Sequence, residues 1–311
     1  MVHLVRINAG SAVVSIIPWL AENQGCSVVF TPRRHLNDDF ELLSIDDSHR
    51  PEKSVSIIIC SLGRPESLET TLRSLSAQTC KDLEIISITE KGHLSHLRDK
   101  GLRMGKGVIT SFIDDDVCCP PTWLESVVKA FLEESVVGVT GPTTITDEYR
   151  SNRDIFKYKW FKKLYDWLFL NNLKCRPSYL SKVGAPSTAS NNAGISYEGE
   201  ASYLEACNMS VRTKEAIDVG GFDHSYQKTS EWCEVDLALR LRNRGSLVYR
   251  RNCKLYHRPS KAGVYGFRLS TQHRWRNFVR FQRRWIKPSF KQSLYWMWVW
   301  TYLKLKEFRM I

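Results

Sequence analysis

VITSFIDDDVCCPPTWL, residues 108–124, is a β-branched and aromatic run that ends in three aspartates and a double proline before apolar residues resume. Such a run, bounded by turn residues, predicts a buried strand, and residues 122–134 behind it predict a helix. Working outward, VSIIIC (55–60), LEIISI (83–88) and VVGVT (136–140) repeat the strand signal. Between them lie two helical patterns. One is entered at Pro65, carries Glu66 in its first turn and sets Leu68, Leu72 and Leu75 on one face; the other spans 93–104. Unalternated strands separated by amphipathic helices imply an α/β fold with a mostly parallel central sheet and helices on both faces.

Past residue 150 the alternation stops: 151–170 is rich in aromatics and lysines, and 184–199 reads as a small polar loop. A second ordered block starts at Tyr203, turns at Gly220 and Gly221, and enters a helix expected from Glu231 to just before Gly245, capped by Thr229 or Ser230. The strand SLVYR (246–250) closes it. The chain divides into an N-terminal extension (1–53) with strands of its own and a polar, acidic run at 37–47, a main domain (54–258) with ordered parts at 54–141 and 200–258, and a C-terminal segment (259–311).

The 311 residues are 42% hydrophobic and 25% charged, a globular balance rather than a disordered one. The net charge of +12 is uneven, because residues 250–311 hold sixteen Lys or Arg and one acid, Glu307. Trp275, Trp285, Trp296, Trp298 and Trp300, half of the ten tryptophans, share that stretch. The mixture predicts a basic aromatic helical extension suited to an anionic membrane surface or a nucleic-acid backbone. Its longest apolar run, 294–303, is about half the ~20 residues of a spanning helix. Nine cysteines with no CxxC pair exclude a zinc ribbon and point to a reducing compartment. The apolar stretch 12–20 lacks the flanks of a signal peptide, so a cytoplasmic chain, peripheral to the cytoplasmic face of a membrane, is expected.

Asp114, Asp115 and Asp116 sit at the carboxyl end of a strand, where open α/β sheets bind ligands. Adjacent carboxylates there suit a hard divalent cation shared with a phosphate-bearing substrate, although one of them could simply cap the following helix. The glycines of GLRMGKG (101–107) have the wrong spacing for a P-loop and precede a strand, so a helix C-cap accounts for them. Glu231 and Glu234, three apart on the expected helix, share a face; either chemistry or the helix dipole could ask for them.

Four segments taken in order, VSIIICSLGRPESLETTLRSLSAQ (55–78), FIDDDVCCPPTWL (112–124), CNMSVRTKEAIDVGGFD (207–223) and EVDLALRLRNRG (234–245), resemble the inverting family 2 glycosyltransferases with a GT-A fold. The resemblance covers roughly residues 55–257. It implies a metal-dependent enzyme that moves a sugar from a nucleoside-diphosphate sugar to a hydroxyl acceptor, a glycan or a lipid-linked one, with inversion. It further implies Mg²⁺ or Mn²⁺ on Asp116, Asp114 and His257, and nucleotide-sugar contacts from Ser61, Glu90, Arg98, Asp114 and Asp115. Asn208, Trp232 and Asp236 would lie on the acceptor side, with Glu234, or else Glu231, as the catalytic base. The chain departs from the family pattern at Glu90, where Asp is usual, and at Cys233-Glu234, where Glu-Asp is usual. The alternatives are a nucleic-acid-binding protein using the basic tail and a sugar-binding relative without activity. The acidic clusters argue against nucleic acid at the cleft.

Overall fold

The computed structural model describes residues 26–31, 53–62, 64–145, 159–170, 176–187, 196–258 and 271–307. The acidic run at 37–47, the apolar stretch at 12–20 and the middle of the polar loop at 184–199 lie outside them. Strands β1 (Cys26–Thr31), β2 (Lys53–Cys60), β3 (Leu83–Ile88), β4 (Gly107–Ile113), β6 (Val136–Thr140), β8 (Gly199–Glu200), β9 (Asn208–Arg212) and β10 (Ser246–Tyr249) form one sheet. Its order is β1-β3-β2-β4-β9-β6-β10-β8. Pairing is parallel except where β9 runs antiparallel between β4 and β6, and where β8 meets β10. The extension's strand β1 thus continues the main sheet through parallel pairing with β3.

The unbroken apolar runs arise because both faces are covered. Val55, Ile57 and Ile59 point into a core with α1 (Pro65–Ser76) and α3 (Trp123–Ala130), while Ile58 points to the opposite core with α2 (Leu94–Met104) and α6 (Cys233–Leu241). Between these helices, α4 (Lys159–Tyr165) runs into a π-helical turn, Asp166–Leu170, and the short α5 (Thr213–Asp218) follows β9. Several polar residues within the strands are paired: the Ser111 and Ser210 hydroxyls lie 2.8 Å apart across the antiparallel β4–β9 ladder, and Thr110 of β4 meets Thr213, at the start of α5, at the same distance.

A second sheet, β5-β11-β7, joins Val117–Cys118, Leu255–His257 and Thr143–Ile145. Small as it is, it sets His257 opposite Val117, directly after the aspartates.

Two local expectations are corrected. The helix expected over 122–134 ends at Ala130. The helix expected from Glu231 begins at Cys233, because Trp232 takes a left-handed φ of 78° at its N-cap; neither Thr229 nor Ser230 caps it. Glu231 therefore lies outside the helix and shares no face with Glu234. The helix C-cap expected from the glycines of 101–107 is Gly105, which ends α2 with φ −67°; Gly101 serves close approach, since a Cβ there would stand 2.3 Å from Ile58 Cγ2.

The C-terminal segment forms α7 (Thr271–Trp285) and α8 (Phe290–Glu307). No helix among the described residues is long and apolar enough to cross a membrane. Instead α7 folds back onto the main domain. Phe281 is fully buried and stacks on Trp232 at 4.6 Å, and Asn277 exchanges two hydrogen bonds with the Gln227 backbone, at 2.9 and 3.0 Å.

The tight passage of α2 over β2 gives a test. Gly101→Ala is expected to destabilise the protein by about 1–3 kcal/mol, the usual cost of overpacking a filled core. Urea unfolding measures it, and an unchanged midpoint would contradict the close approach.

Candidate active site

β4 delivers Asp114, Asp115 and Asp116 into a crevice at its carboxyl end. The loop that follows is clamped by α1: Thr71 Oγ1 donates to Val117 O at 2.8 Å, and Gln78 bridges Pro120 O and Leu124 N at 2.8 and 2.9 Å. Asp115 is fully buried and Asp116 nearly so. Burying like charges side by side is costly unless they are paired. Ser61, at the end of β2, donates to Asp115 at 2.5 Å. Arg64 forms ion pairs with both Asp115 and Asp116, the latter at 2.8 Å. Even so, burial pushes the Asp115 carboxyl up to about 6 against the pull of Arg64 and Ser61.

His257 completes the group. Its Nε2 is 2.9 Å from Asp116 Oδ1 and 3.9 Å from Asp114 Oδ2. The β5–β11 pairing supports this approach, with Arg258 N donating to Asp116 O at 2.8 Å. One ligand atom from each of Asp114, Asp116 and His257 lies within 4.8 Å of the others. Two carboxylates and an imidazole converging in this way fit a divalent cation such as Mn²⁺ or Mg²⁺.

Arg98 links this group to the second acidic cluster. It lies on the buried stripe of α2 with Ser95, Asp99 and Leu102. Its guanidinium is 3.7 Å from Asp114 and 4.0 Å from Glu234. Burial works against the Arg98 charge, but the Cys233, Asp114 and Glu234 groups around it raise its pKa, so the cation persists. Glu234 stands in the first turn of α6. Burial moves its carboxyl above the ordinary glutamate range, with Arg98 opposing the shift.

Glu231 is differently placed. Thr229 Oγ1 donates to it at 2.6 Å, and Arg274 of α7 pairs with it at 2.9 Å. Three non-glycine residues, Lys228, Ser230 and Trp232, have positive φ within five positions, so this connection is a strained turn rather than a helix start.

The remaining candidates divide. Ser61 belongs to the aspartate group, whereas Glu90 pairs with Lys100 at 2.6 Å on the surface of the cleft. The side chains of Asn208, Trp232 and Asp236 are engaged in internal contacts. The Asn208 amide donates to Cys253 O at 2.8 Å and accepts from Trp123 Nε1 at 3.3 Å, while Trp232 packs on Phe278 and Phe281. Asp236 is fully buried and accepts from Trp285 Nε1 at 2.8 Å and Arg240 Nε at 3.0 Å. Sequence reading missed Arg64 and Arg274. A cation in the loop after a buried strand was the available signal for Arg64; nothing local marked Arg274.

Residues 89–180 match the family described as glycosyl transferase family 2, a stretch that holds Glu90, Arg98 and the three aspartates. The glucosyl-dolichyl phosphate glucuronosyltransferase of Haloferax volcanii is 24% identical over 135 residues, 34% of this chain and 43% of that protein. The match thus spans less than half the length of this curated relative. Among solved structures, a mannosyltransferase from Pyrobaculum calidifontis in complex with GDP-Man and Mn²⁺ is similar over 83% of this chain and 71% of its own, at 13% identity and a TM-score of 0.49. GalNAc-T7 with UDP, GalNAc and Mn²⁺ is similar over 75% of this chain and 48% of its own, at 10% identity and a TM-score of 0.48. The stretch similar to glycosyl transferase family 2 thus contains β4, β6 and the aspartates at the strand end.

Proposed function

We propose that this protein transfers a sugar from a nucleoside-diphosphate sugar to a hydroxyl acceptor by a single inverting displacement. The observation that carries the reading is Arg98, one buried cation shared between a strand-end carboxylate cluster and the isolated, partly buried carboxylate of Glu234. Asp114, Asp116 and His257 would hold Mg²⁺ or Mn²⁺, and such a cation neutralises charge on a departing diphosphate. Glu234 takes the proton of the acceptor hydroxyl as that oxygen bonds to the anomeric carbon and the bond from that carbon to the diphosphate oxygen breaks. The raised Glu234 pKa suits a base, which must hold the proton it removes. Glu231, already paired with Arg274, is the weaker candidate.

A lipid-linked acceptor is favoured over a free glycan. The Haloferax relative is named for a glucosyl-dolichyl phosphate, and the basic aromatic helices α7 and α8 suit the cytoplasmic face of an anionic membrane.

Three outcomes test this. Asp116→Ala is expected to abolish transfer with the fold retained, and to weaken Mn²⁺-dependent nucleotide binding by at least about tenfold. Unchanged nucleotide affinity in the folded variant would remove the metal assignment. Glu234→Gln is expected to keep donor binding and slow transfer by about two to four orders of magnitude, whereas Glu231→Gln costs far less; single-turnover rates of the two variants, if exchanged, make Glu231 the base. Because the base works deprotonated, kcat/KM is expected to rise with pH through a limb above the ~4.3 of ordinary glutamate. Arg98→Gln removes the cation that lowers this pKa, so the limb should move to higher pH. A limb that stays in place in that variant would separate Glu234 from the proton transfer.

A further inference from the structure

Nine large hydrophobic side chains are exposed among the described residues, and seven of them lie on α4 with its π-helical turn and on α8. Trp160, Leu164 and Trp167 follow one another at helical spacing, with Trp160 66% and Trp167 73% exposed. Phe290, Leu294, Met297 and Trp300 do the same along α8, with Phe290 82% and Met297 66% exposed. Scattered apolar residues on a surface need no explanation, but a concentration of this kind does.

The two helices are cemented together through their other faces. Trp298 meets Phe161 at 4.5 Å and Phe169 at 5.5 Å, and Phe169 meets Tyr295 at 5.0 Å. The buried aromatics therefore account for the packing, and the exposed stripes are surplus to it. An open groove of about 450 Å³, lined by Trp275, Ser293, Trp296, Met297 and Trp300, adjoins the α8 stripe.

The charge along these segments is mostly positive. Residues 271–311 contain ten Lys or Arg and a single acid, and Lys163, Arg276, Arg283 and Lys287 are exposed. The acids on α4, its π turn and α8 are Asp166 and Glu307, each held by a lysine at 2.7 Å. Two copies of such a face would bring cations against cations, which opposes self-association. An anionic bilayer offers the complementary surface, with headgroup phosphates for the lysines and arginines and an interface where tryptophan rings settle.

We propose that α4 and α8 together form one bilayer-docking face, built from two segments far apart in the sequence, whose partner is an anionic phospholipid membrane. This deepens the membrane-proximal reading above and rests on it. It assigns a docking role to residues 159–170, which a tail acting alone would leave without one. Trp160 and Trp167 enter the interface beside Phe290, Met297 and Trp300, while the cations engage the headgroups.

The test is flotation of the full chain with vesicles of phosphatidylcholine alone or with about one third phosphatidylglycerol. The expected result is recovery with the anionic vesicles only. Trp160→Glu, Trp167→Glu and Met297→Glu, all at exposed positions, should each lower that binding by about tenfold with unchanged thermal unfolding and unchanged nucleotide affinity. If the two α4 variants float like the parent while Met297→Glu does not, the tail docks alone and the composite face is wrong. A parent protein that ignores both vesicles, or that runs as a dimer which these variants dissociate, overturns it as well. Vesicle binding needs no donor sugar, so nucleotide binding that persists without flotation counts against this face, and flotation without nucleotide binding counts against the transferase reading.

Discussion

Three adjacent carboxylates at the end of one buried strand repel each other, and most of the cleft is arranged to answer that repulsion. Asp115 has no exposure to water, so its charge has to be met by protein groups or suppressed by protonation. Arg64 and Ser61 arrive from β2, the parallel neighbour of β4, because both strands end at the same level. His257 arrives from the other direction, through a three-residue strand whose register with Val117 leaves it facing Asp116. Arg98 comes from α2, which the missing side chain of Gly101 lets sit close on Ile58. Sheet order, strand register and helix clearance thus converge on one electrostatic requirement.

The C-terminal helices belong to this arrangement rather than hanging from it. α7 reaches the segment 223–236 through Arg284 on Asp223, Asn277 on Gln227, Arg274 on Glu231 and Trp285 on Asp236. That segment carries both acidic candidates for the base. Glu231 is tied to α7 by its ion pair with Arg274 at 2.9 Å, whereas Glu234 stands 4.0 Å from Arg98. The tail therefore shapes the surroundings of this segment through direct contacts. Trp275, next to Arg274, edges Trp300 at 5.1 Å, so the cleft and the exposed aromatic surface are connected through a single helix.

Much of the fold was legible because its signals are local. VSIIIC, LEIISI, VITSFI and VVGVT are strands within a residue or so of where their apolar runs place them, since burial on both faces leaves no other use for such runs. The stripe of Leu68, Leu72 and Leu75 likewise fixed α1. The start of α6 was misread because a serine or threonine before an acidic turn ordinarily caps a helix, whereas here Tyr226 O and Ser95 occupy the Ser230 hydroxyl and the chain turns through left-handed residues first. The resemblance set Asn208 and Asp236 on the acceptor side, and sequence does not show the internal hydrogen bonds that their side chains make.

The sequence by itself determined the alternating α/β pattern, the placement of Asp114, Asp115 and Asp116 at a strand end, and the basic aromatic character of the last sixty residues. Each is a property of a short window, set by periodicity, by the alternation of side chains along a strand or by composition. Only the tertiary structure decided which distant residues meet that strand end. The family resemblance had already joined His257 to Asp114 and Asp116, but nothing in a window around Arg64 or Arg274 records that a neighbouring strand and a folded-back helix carry them to Asp115 and Glu231. Ion pairing acts over a few ångströms in space, and separation along the chain does not encode that distance.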